Sequence, residues 1–274
     1  SNLCSWRFLY DTQFAVIDDF LVFKFWAGEQ LAYMMPVGNG DLKAVLRELI
    51  EDADKEKHNF CMLGVCSNMR ADLEAILPER FIFTEDRAYA DYIYLRSDLA
   101  TLKGKKFQAK RNHINRFRNT YPDYEYTPIT PDRIQECLDL EAEWCKVNNC
   151  DQQEGTGNER RALIYALHNF EALGLTGGIL HVNGKIVAFT FGMPINHETF
   201  GVHVEKADTN IDGAYAMINY EFANRIPEQY IYINREEDLG IEGLRKAKLS
   251  YQPVTILEKY MACLKDHPMD MVRW

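Results

Sequence analysis

No apolar run in these 274 residues approaches the roughly 18 needed to cross a bilayer, so the sequence offers no transmembrane anchor. The chain also lacks an initiator methionine, a basic leading segment and a signal-like apolar core. Its start, Leu-Cys-Ser-Trp-Arg-Phe-Leu-Tyr, reads as a helix already under way, so further sequence upstream is expected. Seven cysteines (Cys4, Cys61, Cys66, Cys137, Cys145, Cys150 and Cys263) form no C-x-x-C and are odd in number. That pattern suits a reduced cytoplasm better than a disulfide framework, and a cytoplasmic protein is expected. The seven histidines show neither H-x-x-x-H nor a cysteine partner at zinc spacing, so no metal site is expected.

Positive charge is scarce and unevenly spread. The net charge is −10, which argues against wholesale coating of nucleic acid. Yet Lys103–Arg118 holds seven Lys or Arg residues and no acid, leaving the remainder near −17. As a helix at ~3.6 residues per turn, this segment puts Phe107, Ile114 and Phe117 on one face. Arg111 and Arg118 then flank that stripe, with Lys110 slightly further round. Such a patch either faces an anion or lays its aliphatic stems on apolar surface and releases its charge to water.

The rest divides into two halves with the same order of elements. In the second half the order is β-α-α-β-β-β-α-β-α-β. A strand at Tyr124–Thr127 precedes a helix opened by Thr130-Pro131-Asp132 and running to about Val147. A helix at Asn158–Leu173 leads into strands at Thr176–Val182, Lys185–Pro194 and Glu198–Glu205, the first two joined by an Asn183-Gly184 hairpin turn. A helix at Gly213–Ile226, a strand at Gln229–Asn234, a helix at Ile241–Leu249 and a strand at Pro253–Tyr260 complete it. The first half reads β-β-β-α-β-α-β, from Phe14 to Leu95, with the opening piece absent. This predicts an α/β fold of mixed sheets in two similar domains, 1–100 and 122–274, joined by a basic helix over 101–121. Sequence identity between the halves is negligible, so the repeat is one of architecture.

Three strings carry a resemblance. They are Leu-Lys-Gly-Lys-Lys-Phe-Gln-Ala-Lys-Arg-Asn-His-Ile-Asn-Arg-Phe (102–117), His-Val-Glu-Lys-Ala-Asp (203–208) and the segment Ile233–Pro253, which begins Ile-Asn-Arg-Glu-Glu-Asp-Leu-Gly. The chain resembles the phosphatidylglycerol lysyltransferase C-terminal-domain family throughout its length. The resemblance implies tandem GNAT-like acyltransferase domains, the first truncated at its start. It also implies kinship with lipid aminoacyltransferases and Fem-type transferases that use aminoacyl-tRNA.

Acetyl-CoA enzymes of the GNAT fold grip pyrophosphate with Q/R-x-x-G-x-G/A at a helix N-terminus. The matching stretch here, Asn210-Ile211-Asp212-Gly213-Ala214-Tyr215, keeps one glycine, ends in Tyr and brings Asp208 and Asp212 close by. The first half has Val37-Gly38-Asn39-Gly40-Asp41, best read as a turn with an Asp cap. Candidate anion contacts are therefore sought on the basic segment, at Lys106, Lys110, Arg111, His113 and Arg118. Glu141 falls on the apolar face of its helix and is either a base, a clamp for a substrate amine, or a partner for Arg111 or Arg118. A further cluster joins His203 and Glu205, two apart on a strand, and Lys206 to Asn234, Arg235, Glu236, Asp238, Arg245, Lys248 and Tyr251. Aminolysis of an ester needs a base and an oxyanion stabiliser. Glu205 or Glu236 is the candidate for the first and Lys248, Arg245 or Tyr251 for the second, with His203 a further candidate catalytic residue.

The expected function is transfer of an aminoacyl group from aminoacyl-tRNA to an amine or hydroxyl acceptor, on a small molecule, peptide or lipid headgroup. Acyl-CoA as donor, in an N-acetyltransferase, is the alternative, and a non-catalytic RNA or phospho-ligand binding module is a third reading. No permanently bound cofactor is expected.

Overall fold

The structure is a computed structural model that describes residues 2–148 and 154–265. It divides into two compact units. One comprises residues 6–90 together with the chain from Leu257; the other comprises Asp91–Ile256 and the first few residues. The boundaries therefore fall at 90/91 and 256/257, not at 100 and 122, and the basic helix lies wholly inside the second unit.

Helix α1 (Asn2–Ser5) belongs to the second unit; the first begins with the short helix α2 (Arg7–Tyr10) and strands β1 (Gln13–Ile17), β2 (Phe20–Ala27), β3 (Gln30–Tyr33) and β4 (Val37–Gly38). Pro36 sits between β3 and β4, where it interrupts the ladder because proline has no N–H to donate. Helix α3 (Leu42–Lys55) starts at Asp41, whose carboxylate accepts from Ala44 N–H at 3.2 Å. It buries Val45, Leu46, Leu49, Ile50 and Ala53 as one stripe at helical spacing. Strands β5 (Cys61–Val65) and β6 (Phe81–Glu85) flank helix α4 (Ser67–Ile76). The sheet, however, is completed from the far end of the chain. Its order is β1-β2-β3-β5-β14-β6, where β14 is Tyr260–Leu264.

The expected single strand over Pro253–Tyr260 is in fact two. Strand β13 (Thr255–Leu257) pairs in the second sheet, and β14 enters the first. Cys263 faces Cys61 in the β14–β5 register, and the two form a disulfide. This corrects the expectation of a chain without disulfides. Two cysteines 202 positions apart in sequence become neighbours only once the last strand is seated. Cross-linking so distant a pair restricts the unfolded chain, so reduction is expected to lower stability by about 2–4 kcal/mol. A melting temperature measured with and without reductant, beside a Cys263→Ser variant, checks this; equal midpoints would count against a structural bond.

The second unit has the sheet β13-β7-β12-β11-β10-β9-β8. Its strands are β7 (Asp91–Leu95), β8 (Glu125–Pro128), β9 (Thr176–Val182), β10 (Lys185–Pro194), β11 (Thr199–Ala207), β12 (Tyr232–Asn234) and β13. Helices α5 (Arg96–Thr101), α6 (Gln108–Thr120) and α9 (Ala214–Ala223) share one core with Tyr92, Tyr94, Leu180, Ala188, Phe200 and Ile233. Helices α7 (Ile134–Asn148) and α8 (Glu154–His168) share another with Ile179, Phe189 and Phe191. Neighbours 188 and 189 go to opposite cores, as strand alternation requires. The basic segment is thus no linker: Phe107, Ile114 and Phe117 are buried in the first of these cores. Helix α10 (Glu242–Leu249) precedes β13. Among the described residues, no helix is long and apolar enough to cross a membrane.

Candidate active site

Strands β11 and β12 run parallel for only three pairs: Thr199 with Tyr232, Phe200 with Ile233, and Gly201 with Asn234. Beyond Gly201, β11 continues to Ala207 while the other chain turns away, and the sheet splits. At that point β11 carries a bulge: Val202 faces Gly192 and Val204 faces Phe191, and the register steps over His203. Bulges re-aim side chains. His203 Nδ1 lies 2.7 Å from Glu236 Oε1, just past the end of β12. With the Nδ1 proton donated to that carboxylate, Nε2 is the basic nitrogen of the ring.

Two residues on, Glu205 pairs with Arg235, the guanidinium Nη2 lying 3.0 Å from Oε2. Asn219, from α9, donates Nδ2 to the same carboxylate at 3.3 Å. That bond fixes the amide orientation and turns Oδ1 away as an acceptor. Among the described residues neither Asn219 Oδ1 nor Arg235 Nη1 has a hydrogen-bond partner, although both atoms are buried. Unsatisfied buried polar atoms are uncommon and costly. Here a donor and an acceptor flank one carboxylate at the split of the sheet. Tyr251 lies beneath, with Arg235 4.8 Å and Lys110 Nζ 4.0 Å from its ring centroid. Burial pushes the Tyr251 hydroxyl up to about 12. Burial first, and the Arg235 charge second, bring Lys110 down to about 8.

Several predicted site residues serve the fold instead. Lys248 directs its ammonium at three backbone carbonyls, those of Arg235, Glu236 (3.2 Å) and Glu237 (2.6 Å). It braces a turn in which Glu236 has φ +58; with its protons committed there, it is not the oxyanion holder. Asp238 is fully buried and receives Arg245 twice, at 2.7 and 2.9 Å, the Tyr92 hydroxyl at 2.5 Å and Gly240 N–H at 2.9 Å. Arg245 is thereby occupied as well. Asn234 bonds Asp91 at 2.9 Å and accepts from Glu236 N–H at 2.7 Å, setting the same turn.

The basic segment is also largely consumed by the protein. Lys106 pairs with Asp98 at 2.8 Å. Arg111 donates to the carbonyls of Leu102 and Gly104, closing a turn where both residues have positive φ. Arg116 bonds Asp212 at 2.7 Å, with His113 3.9 Å from the same carboxylate. Arg118 lies over Tyr220 and 3.8 Å from Glu221. Glu141 is buried as expected, but its partner is Arg160 on α8, at 3.1 Å, rather than Arg111 or Arg118. Of the predicted anion contacts, Lys110 alone reaches the split.

Helix α6 also packs on the loop where acetyl-CoA enzymes hold pyrophosphate. A Cβ at Gly213 would come within 3.0 Å of the His113 carbonyl and 3.2 Å of Phe117, and φ there is +86. The glycine permits this close helix approach. In the first unit, a Cβ on Gly38 or Gly40 would strike the carbonyls of Asp19 or Asp18 at 2.2 and 2.7 Å, consistent with a turn and cap.

Sequence reasoning placed Arg235 in the polar cluster without giving it a role, and missed Asn219 as a site residue. Asn219 had a signal: it is a lone amide in Ala-Tyr-Ala-Met-Ile-Asn-Tyr-Glu-Phe-Ala, on a helix buried along much of its length.

A mixed sheet that splits between two parallel strands, with a bulge at the split and a helix starting nearby, defines the GNAT class of acyltransferase folds. A tandem GNAT protein from the clavulanic acid biosynthesis pathway superposes with TM-score 0.50 at 11% identity, over 91% of this chain and 80% of the other. The family model for phosphatidylglycerol lysyltransferase, C-terminal, matches residues 1–263, and the chain belongs to that family. The C-terminal domain of a protein assigned as a lysylphosphatidylglycerol synthetase from Agrobacterium fabrum superposes with TM-score 0.72 at 13% identity, covering 96% of this chain and 86% of that one. A crystal structure of a conserved protein from Bacteroides thetaiotaomicron VPI-5482 is 99% identical, with TM-score 0.95, over 96% of this chain and 89% of that one. An uncharacterized protein of Mycoplasmoides gallisepticum is 25% identical over 177 residues, 62% of this chain. The chain spans about half the length of that relative, 55% of it.

Proposed function

We propose that the chain is an aminoacyltransferase that moves an aminoacyl group from an ester donor of the aminoacyl-tRNA type to a hydroxyl or amine acceptor at the β11–β12 split. The observation that carries this reading is the His203–Glu236 pair beside the unsatisfied Arg235 Nη1 and Asn219 Oδ1. The α-ammonium of the aminoacyl group is held by Asn219 Oδ1 and the Glu205 carboxylate. Its ester carbonyl oxygen accepts from Arg235 Nη1. His203 Nε2 takes the acceptor's proton as the acceptor attacks that carbonyl, and Arg235 stabilises the oxyanion of the tetrahedral intermediate. The ester C–O bond then breaks, and the imidazolium returns its proton to the leaving hydroxyl.

The family description, which names phosphatidylglycerol and lysyl transfer, supports an aminoacyl donor and an acceptor of the lipid-headgroup kind. Against acyl-CoA stand the carboxylates of Asp208 and Asp212 and the packing of α6 on Gly213. A small soluble mimic of the aminoacyl group, an amino acid amide, is expected to raise the melting temperature, whereas CoA and acetyl-CoA are expected to leave it unchanged. Asn219→Leu is expected to abolish the amide's effect. A micromolar CoA complex would favour the N-acetyltransferase alternative and overturn the proposal.

A further inference from the structure

We propose that Lys110 and Arg235, seated together on the Tyr251 ring, form a receptor for a single phosphodiester anion. This rests on the transfer reading for the identity of the anion. In an acyl ester the carboxyl group is already esterified, so the negative charge that accompanies it is a phosphodiester of the nucleotide or headgroup.

The seat itself is argued from charge and geometry. Two cations lie over one aromatic ring, Lys110 at 4.0 Å and Arg235 at 4.8 Å from its centroid. Each interaction with the ring is favourable alone, but the two charges repel one another. One carboxylate, Glu205, stands beside them, and it is engaged by Arg235 and Asn219. Among the described residues no carboxylate comes within ion-pair distance of Lys110, in contrast to Lys106, Arg116 and Arg118 on the same segment. Lys110, Arg235 and Glu205 sum to one positive charge. The buried Arg235 Nη1 has no acceptor among the described residues and carries two hydrogens, one for the ester carbonyl in transfer and one for the anion. A monoanion with two exposed oxygens, one for the ammonium and one for Nη1, removes the repulsion and satisfies the donor together. The depressed Lys110 fits this picture, since burial and Arg235 disfavour its charge until an anion arrives. The loop that takes pyrophosphate in acetyl-CoA enzymes has Asp212 bound to Arg116.

The test is binding without chemistry, measured by calorimetry on the full chain. One probe is a dinucleotide with a single 3′–5′ phosphodiester; the other is glycerophosphoglycerol, a soluble headgroup diester. At least one is expected to bind, more weakly by about tenfold or more in Lys110→Gln and near wild-type strength in Lys110→Arg. Affinity in the wild type is expected to fall as pH rises through about 8, where Lys110 loses its proton in the face of Arg235, Glu205 and Tyr251. In Lys110→Arg that fall is expected to disappear. Binding of the dinucleotide alone places the seat on the donor side, and binding of the headgroup alone on the acceptor side. Binding of neither diester, or equal affinity in wild type and Lys110→Gln, would overturn the seat. Transfer that proceeds with its KM unchanged in Lys110→Gln removes the seat and leaves the transfer reading standing. Diester binding through Lys110 with no transfer from any ester does the reverse.

Discussion

Replacing His203 by Gln is expected to slow aminoacyl transfer by about two to four orders of magnitude while leaving binding of an amino acid amide intact. The bulge takes His203 out of the β10–β11 pairing and delivers its ring to Glu236, whose carboxylate selects the tautomer. Gln retains a polar group of similar reach but accepts no proton at neutral pH, so only the proton-transfer step is removed. Glu236→Gln keeps the hydrogen bond's geometry but no longer stabilises the imidazolium, and a loss of the same kind is expected. Single-turnover transfer from an ester donor, followed against pH, is the measurement. A wild-type rate from His203→Gln would take this ring out of the chemistry. If the wild type binds the amide but transfers from no ester donor, the chain is better read as the binding module.

Asp238→Ala is expected to cost about 3–5 kcal/mol of stability, toward the lower end because Arg245 is partly exposed to water. The carboxylate is fully buried and satisfies two guanidinium nitrogens, a tyrosine hydroxyl and a backbone N–H. Its removal leaves Tyr92, itself buried, without that acceptor and loosens the turn that aims Arg235 and Glu236. The pH dependence has a definite sign. Hydrogen bonds from Arg245, the largest influence, hold the Asp238 carboxyl well below the usual carboxylate range. Its contribution is therefore complete above the unfolded-state value of about 4 and is lost as pH falls toward the lower folded value. Chemical denaturation at neutral and acidic pH checks both points. The gap between wild type and Asp238→Ala should narrow in acid; a constant gap would contradict the assigned role.

Local signals were legible wherever a few neighbouring residues decide the outcome. Asn183-Gly184 makes a turn, with both residues at positive φ. The apolar stripe of α3 repeats every three or four residues, and Asp41 caps it. Strand alternation sends Ala188 and Phe189 to opposite cores. The charge of Lys103–Arg118 was equally plain, but its destination was not. Arg116 meets Asp212 nearly a hundred positions away, and Arg111 is spent on a turn beside it, which no charge count distinguishes from a ligand site.

By itself the sequence determined the order of elements, the family resemblance and which strings are rich in chemistry, because these depend on local periodicity and on residues adjacent in the chain. Tertiary structure alone decided that the last strand closes the first sheet, that Cys61 meets Cys263, and that Lys110 is the one basic-segment residue at the split. It also decided that Lys248 and Asp238 brace a turn while Arg235 and Asn219 keep buried hydrogen-bonding atoms unspent. The physical reason is common to all of these. A side chain's role is set by which desolvated partners it meets, and those partners come from strands and helices far apart in the chain.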